Sequence, residues 1–303
     1  MGEAGIVIVT HQSAAEIGAC LDCARQAGAE IVVVDNASSD HTRDEVASRG
    51  VRLIANPENR GFAAAVNQGI AALTTPYILL LNPDAHLLTP IDALIAACKI
   101  PGMAGATGQL TDAAGHPQVG FNIRNLPTPT ALFLEVLLIN RLWRGNPVNW
   151  HYRCLAFDYS TPSEAEQPAG AFFMIRRNVW QELGGLDENF HPLWFEDVDF
   201  CWRARERGYR MRYTPDAVAK HTGGHSIVKI SLEKRQLYWY RSLLGFAVKH
   251  YRSRTARIVS AGVFFGCIPR MLFGAIASGS LASVGVYGKV MGLACKVCIR
   301  PSR

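Results

Sequence analysis

The chain has 303 residues, 49% hydrophobic and 18% charged, which suits one large α/β domain with an appendage and excludes a disordered chain. Its net charge of +6 is unevenly spread: Lys234 to Arg303 holds twelve basic and no acidic residues, against nineteen basic and twenty-five acidic before it. An acidic body with a basic, apolar tail points to an anionic surface, and the tail's hydrophobicity favours a membrane over nucleic acid.

Met1-Gly2-Glu3-Ala4-Gly5 has no basic n-region, and the apolar run after it ends at Val9, so no secretory signal is expected. The pairs Cys20/Cys23 and Cys295/Cys298 lie too far apart for a zinc ribbon and are expected to be reduced thiols on helices. Along the first hundred residues strands and helices alternate. Strands are expected at 5–10, 30–35, 51–54 and 77–81, and helices at 16–26, 40–48, 62–72 and 90–98. That order implies a mostly parallel sheet with helices on both faces and a ligand site beyond the carboxyl ends of its strands. Polar clusters occupy those ends: Thr10-His11-Gln12, Asp35-Asn36-Ala37-Ser38, and Asn82-Pro83-Asp84. The turn after the first strand lacks G-x-G-x-x-G, which removes a dinucleotide-binding reading, and no Walker lysine is present.

Residues 105–166 are irregular and are expected to form loops around an acceptor site. A strand is expected at 170–175, a short helix at 179–183 capped by Gly184-Gly185, a helix at 197–207 ended by Gly208, and a strand at 210–214.

Asp35 suits either a nucleotide base contact or a turn cap. Arg60 and Gly61 suit either phosphate contact or an ordinary turn. Asp84, after a wholly apolar strand, is placed for a hard cation; Asp84-Ala85-His86 has the spacing of a D-x-D, and His86 reads as a solvated loop histidine, with a ligand as the alternative. Glu196, Asp197 and Asp199 stand among Phe190, Trp194, Phe195, Phe200 and Trp202. Mutual repulsion and burial there raise carboxyl pKa values. Asp197 is the candidate general base, with N-capping and a salt bridge to Arg203 or Arg205 as the alternative. His221 and His225 frame a Gly-rich loop from which a histidine can reach a metal.

These segments together resemble family 2 glycosyltransferases of the GT-A fold, in particular the rhamnosyltransferase-like group. The resemblance rests on Val33-Val34-Asp35-Asn36-Ala37-Ser38-Ser39-Asp40, Glu58-Asn59-Arg60-Gly61-Phe62, Asn67-Gln68-Gly69, Leu80-Leu81-Asn82-Pro83-Asp84 and Gly184-Gly185-Leu186-Asp187-Glu188-Asn189-Phe190. Phe195-Glu196-Asp197-Val198-Asp199-Phe200-Cys201-Trp202-Arg203 and His221 with Gly224 and Ser226 complete it. It implies inverting transfer with Asp197 as base and Asp84 and His221 on Mg2+ or Mn2+. It further implies a nucleotide-sugar site drawn from Thr10, Asp35, Asn36, Arg60, Gly61, Asn67, Asn82, Asp84 and Gly170. Glu196 and Asp199 are supporting carboxylates.

The same resemblance implies dTDP-L-rhamnose as donor and a polyprenyl-linked saccharide as acceptor. Asn82 stands where many relatives carry Asp, and His11-Gln12 where Tyr-Asn is commoner. The expected division is a catalytic domain at 1–228 and a helical region at 229–303. That region would lie on the cytoplasmic face of the membrane, with Lys249, Arg252, Arg254, Arg257 and Lys289 toward head groups. Packing on the core or in a homodimer interface is the alternative for the same helices.

Overall fold

A computed structural model describes residues 2–223 and 230–299. It falls into two units. One comprises residues 1–126, 154–188 and 196–229; the other comprises 127–153, 189–195 and 230–303. The C-terminal unit therefore includes two earlier stretches that the expected division at 228/229 had assigned to the catalytic domain.

Among the described residues the first unit is built on a nine-stranded sheet of order β3-β2-β1-β4-β10 (Phe172–Arg176)-β6 (Met103–Thr111)-β11 (Arg210–His221)-β5 (Ala85–Leu87), with β8 (Ser163–Ala165) on β11; β7 (Ile123–Arg124) and β9 (Gln167–Pro168) pair apart from it. Strands β1 (Ala4–Thr10), β2 (Glu30–Asn36), β3 (Arg52–Asn56) and β4 (Tyr77–Leu81) pair in parallel. β1, β2 and β4 are near-continuous apolar runs because helices cover both faces. Helix Phe62–Ala71 comes close enough to β1 that a Cβ on Gly69 would sit 2.5 Å from Val7 Cγ1. Sequence therefore located this half of the sheet well, with ends shifted by one or two residues.

The other half was harder to see. β6 (Met103–Thr111) lies in the stretch expected to begin the loops, and it pairs with β11 and β10. Its glycines suggest a loop, yet a Cβ on Gly105 would sit 2.4 Å from Met174 O, and one on Gly108 2.1 Å from Ala217 O. The glycines are there for close approach of neighbouring backbones. β10 (Phe172–Arg176) runs antiparallel between β4 and β6, so its entry, Ala169-Gly170, lies at the edge where β4 ends.

β11 runs over Arg210–His221, not 210–214. Pro215 falls in a register shift between Tyr213 and Val218, which hid the second half of the strand. His221 is consequently a strand terminus paired with Ala85 of β5 (Ala85–Leu87), rather than a loop residue. Gly224, His225 and Ser226 lie outside the described residues.

The second unit contains helices Leu232–His250, Ser253–Ser278 and Ala282–Ile299. Helix Ser253–Ser278 approaches helix Pro129–Val136 so closely that a Cβ on Gly266 would lie 2.1 Å from Val136 O. Arg270 Nη1 also hydrogen-bonds the carbonyls of Gly266 (2.7 Å) and Val136. Residues 253–277 and 282–299 are long and apolar enough to cross a membrane. The eight cysteines are unbridged, and Cys20, Cys23, Cys295 and Cys298 lie on helices.

Candidate functional site

The three carboxylates of the acidic run have different surroundings. They open helix Glu196–Glu206, directly after Trp194 and Phe195, both in left-handed backbone (φ 76° and 73°). Asp199 is fully buried and paired with Arg203 Nε at 2.7 Å. Arg203 also donates to Leu183 O (2.7 Å) and Gly185 O (2.8 Å), so this pair ties the helix to the Gly184-Gly185 turn. Glu196 is buried, and its Oε2 has no hydrogen-bond partner. Burial, then the charges of Asp197 and Asp199, push its carboxyl well above the usual range, which favours its protonated form.

Asp197 alone is half-buried and forms no ion pair among the described residues. Arg203 and Arg205, its alternative partners from sequence, are engaged by Asp199 and Glu166. Asp197 Oδ2 accepts from Gly170 N (3.0 Å) and Gln167 Nε2 (3.3 Å); Oδ1 accepts from Val198 N (2.8 Å). A carboxylate has about four acceptor sites, so roughly one remains for an incoming hydroxyl. Burial raises the Asp197 pKa, and the Gly170 and Val198 N–H groups only partly offset it. Phe200 packs edge-on to Phe173, and Trp202 donates to Glu206. Within the second unit, Phe195 packs on Phe246, and Phe190 lies beneath Lys249.

Asp84 and His221 do come together. His221 Nε2 lies 3.4 Å from Asp84 Oδ1; both residues are buried, and Nε2 has no hydrogen-bond partner. A buried nitrogen with no partner beside a carboxylate fits a divalent cation such as Mn2+ or Mg2+. Among the described residues no group of three or more His, Cys, Asp or Glu is arranged to hold a metal ion, so substrate phosphates and water would fill the other positions. His86 lies in β5 with its Nε2 buried and unpartnered, not on a solvated loop. Burial and Lys220 lower its pKa. Asn82 is half-buried, and its carbonyl accepts from Ala85 N (3.0 Å), turning the chain into β5.

The first three strand ends form a polar network. Thr10 Oγ1 donates to Asp35 Oδ1 (3.0 Å), while Ser38 N (3.0 Å) and Arg43 Nε (2.7 Å) donate to Oδ2. Burial acts to raise the Asp35 pKa, but these donors outweigh it and the carboxyl is lowered. Asp35 has no exposed side-chain surface and closes the turn anticipated as its alternative role. Arg43, its ion-pair partner, was not singled out from sequence. Asn36 Nδ2 donates to Gly61 O (3.1 Å), and Asn56 Nδ2 donates to Asn36 Oδ1 (3.0 Å). Gly61 adopts φ 85° at the start of its helix, and Arg60 beside it is exposed.

Asn67 is a correction. Its Oδ1 accepts from Trp180 Nε1 (3.1 Å) and Leu186 N (2.9 Å), and its Nδ2 donates to Leu186 O (2.8 Å) and Glu188 Oε1 (3.1 Å). No hydrogen-bonding capacity remains for a nucleotide sugar; the residue clasps the Gly185-Leu186 turn. Sequence also missed Gln118, which hydrogen-bonds both the backbone and the ring of His221. It stands in an irregular stretch with no periodic signal.

The sheet, with β10 antiparallel inside it and carboxylates at its edge, defines a GT-A fold. The family model for glycosyl transferase family 2 matches residues 5–111, and that for glycosyl transferase family group 2 matches residues 143–295. The chain belongs to glycosyltransferase family 2. It is 25% identical over 256 residues to a pre-mycofactocin glycosyltransferase of Mycobacterium tuberculosis, covering 80% of this chain and 47% of the relative. It is 26% identical over 212 residues to the low-salt glycan biosynthesis hexosyltransferase Agl10 of Haloferax volcanii, covering 68% and 62%. The chain thus spans less than two thirds of either relative. Among solved structures it resembles the mannosyltransferase PcManGT of Pyrobaculum calidifontis, in complex with GDP-Man and Mn2+. The TM-score is 0.53 at 17% identity, over 97% of this chain and 80% of that one.

Proposed function

We propose that the protein is an inverting glycosyltransferase that moves a sugar from a nucleotide diphosphate to a hydroxyl acceptor, with Asp197 as general base. The observation that carries this is the division of labour in one acidic run: Glu196 is buried with its pKa pushed up, Asp199 is ion-paired to Arg203, and Asp197 is half-buried without an ion pair among the described residues. Asp197 accepts the acceptor's hydroxyl proton while that oxygen attacks the anomeric carbon. The bond to the diphosphate oxygen breaks with its electron pair leaving on phosphate, and the configuration inverts. The Gly170 N–H holds Asp197 Oδ2 in place. Asp84 and His221 would hold Mg2+ or Mn2+, which supplies positive charge to the departing diphosphate. The Mn2+ bound by the mannosyltransferase neighbour supports that reading.

The donor we favour is dTDP-L-rhamnose, by resemblance of the Asn82-Pro83-Asp84 form to the rhamnosyltransferase-like group; the acceptor is a polyprenyl-linked saccharide. Two apolar helices in a region without acidic residues after Glu233 support a lipid acceptor met at a membrane surface. Arg252, Arg254 and Arg257 are exposed and suit contact with head groups. Lys289 and Lys249, expected beside them, have other partners in the unit: Lys289 pairs with Glu233, and Lys249 lies over Phe190.

A panel of nucleotide sugars offered with Mn2+ and a polyprenyl-diphosphate-linked saccharide tests the proposal. Consumption of dTDP-rhamnose with a new glycosidic product is the expected result. Turnover of only UDP- or GDP-sugars overturns the donor. Binding without turnover of any donor leaves a non-catalytic nucleotide-sugar-binding protein.

A further inference from the structure

We infer that Gln118 is a positioning residue that sets the tautomer of His221 and presents its Nε2 lone pair to a divalent cation. The inference rests on the reading of Asp84 and His221 as cation ligands.

The geometry leaves little freedom. Gln118 Nε2 lies 2.6 Å from the backbone oxygen of His221. A carbonyl only accepts, so the amide nitrogen must face it, and this fixes which way the Gln118 amide is turned. Its Oε1 then faces His221 Nδ1 at 3.1 Å. Oε1 also only accepts, so Nδ1 carries the proton. In a neutral imidazole the lone pair is therefore on Nε2, the atom that is buried, unpartnered and 3.4 Å from Asp84 Oδ1. A lone pair facing a carboxylate across that gap is unfavourable until a cation stands between them.

Rotation of the ring is restrained as well. Phe121 stacks on it, with centroids 5.3 Å apart and planes within 12°. Gln118 is itself anchored: its N–H donates to Leu110 O (2.9 Å), and its carbonyl accepts from Asn122 N (3.0 Å). Asn122 in turn donates to Gly108 O (3.0 Å) and accepts from Ala169 N (2.9 Å), the residue before Gly170. One short segment thus braces the cation side at His221 and the turn that holds Asp197. A purely structural role would need only the bond from Gln118 to the His221 backbone. The second bond, to the ring, is the one that selects a tautomer.

The test uses full-length wild type, Gln118→Met, Gln118→Glu and His221→Ala. Nitrogen-15 histidine spectra of metal-free protein are recorded at mildly alkaline pH. Mn2+ affinity is measured by calorimetry with saturating dTDP. Wild type should show the Nδ1–H tautomer of His221. Gln118→Met, of similar volume, should lose that preference and bind Mn2+ about 10–100-fold more weakly. Gln118→Glu keeps an acceptor opposite Nδ1 and should retain the tautomer. An unchanged tautomer in Gln118→Met overturns the inference. So does wild-type Mn2+ affinity in Gln118→Met when His221→Ala has lost it. Unchanged Mn2+ affinity in His221→Ala would instead remove the cation reading itself, and with it the purpose assigned to Gln118.

Discussion

The backbone N–H of Gly170 donates to Asp197 Oδ2 at 3.0 Å, joining the entry of one strand to the first turn of the helix that opens with the acidic run. A Cβ on Gly170 would lie 3.5 Å from the same carboxylate, an ordinary contact distance, so the site needs the N–H more than it needs glycine. Gly170→Ala should fold and retain substantial turnover. Steady-state kinetics of that variant check the point; complete loss would mean that the open space, not the N–H, is what matters.

The raised pKa of Asp197 has a sign for both rate and stability. A general base must be ionised, so kcat/KM should rise with pH through the Asp197 pKa, on an acid limb displaced above the ordinary Asp range. For stability the effect is opposite. The folded state holds the proton more tightly than the unfolded one, so stability falls as pH rises from the unfolded pKa through the folded one. Asp197→Asn should therefore raise Tm at neutral pH, with the gain shrinking at acid pH. Glu196→Gln should behave likewise, because Glu196 is also raised. Thermal melts across pH measure both variants; a lowered Tm at neutral pH contradicts the assignment.

Asp35 carries the opposite sign. Its lowered pKa contributes stability above the unfolded carboxyl pKa, and that contribution is lost as pH falls through the folded value. Asp35→Asn should cost roughly 1–3 kcal/mol at neutral pH, toward the lower end because Arg43 is 39% exposed. The cost should narrow in acid. Urea unfolding at two pH values checks this.

The clasp at Gly185 is a separate element of stability. Gly185 has φ 81°, and a Cβ there would meet Asn67 Oδ1 at 2.7 Å. Gly185→Ala combines left-handed strain with that clash and should cost about 1–3 kcal/mol. Asn67→Ala strands four hydrogen-bonding groups and should cost a similar amount. Denaturant midpoints measure both, and Asn67→Ala should leave donor affinity near wild type once folded.

Membrane association should depend on the exposed arginines. Replacing Arg252, Arg254 and Arg257 with Glu should weaken binding to anionic vesicles by about 1 kcal/mol per charge removed or more. Vesicle co-sedimentation at low and high salt reads the effect; unchanged sedimentation at both would sink the electrostatic part of the proposal.

The elements legible in the sequence were those whose pattern is local. β1, β2 and β4 are unbroken apolar runs, and Asn82-Pro83-Asp84 sits where such a run stops. β6 was hidden because Gly105 and Gly108 serve neighbouring backbones more than a hundred residues distant or tens of residues away, which no local pattern records. The second half of β11 was hidden by Pro215 at a bulge, so His221 was read onto a loop. Asn67 was misread because its partners, Trp180, Leu186 and Glu188, are remote in sequence. Gln118 left no signal for the same reason, since its significance exists only once β11 brings His221 beside it.

The central claim is that Asp197 accepts the proton of the attacking hydroxyl. The direct measurement is single-turnover transfer by Asp197→Asn, with donor affinity measured in parallel. Asparagine keeps the acceptor oxygen for the Gly170 N–H and cannot act as a base, so transfer should fall by about 100-fold or more while donor binding survives. Near-wild-type transfer by Asp197→Asn would contradict the account.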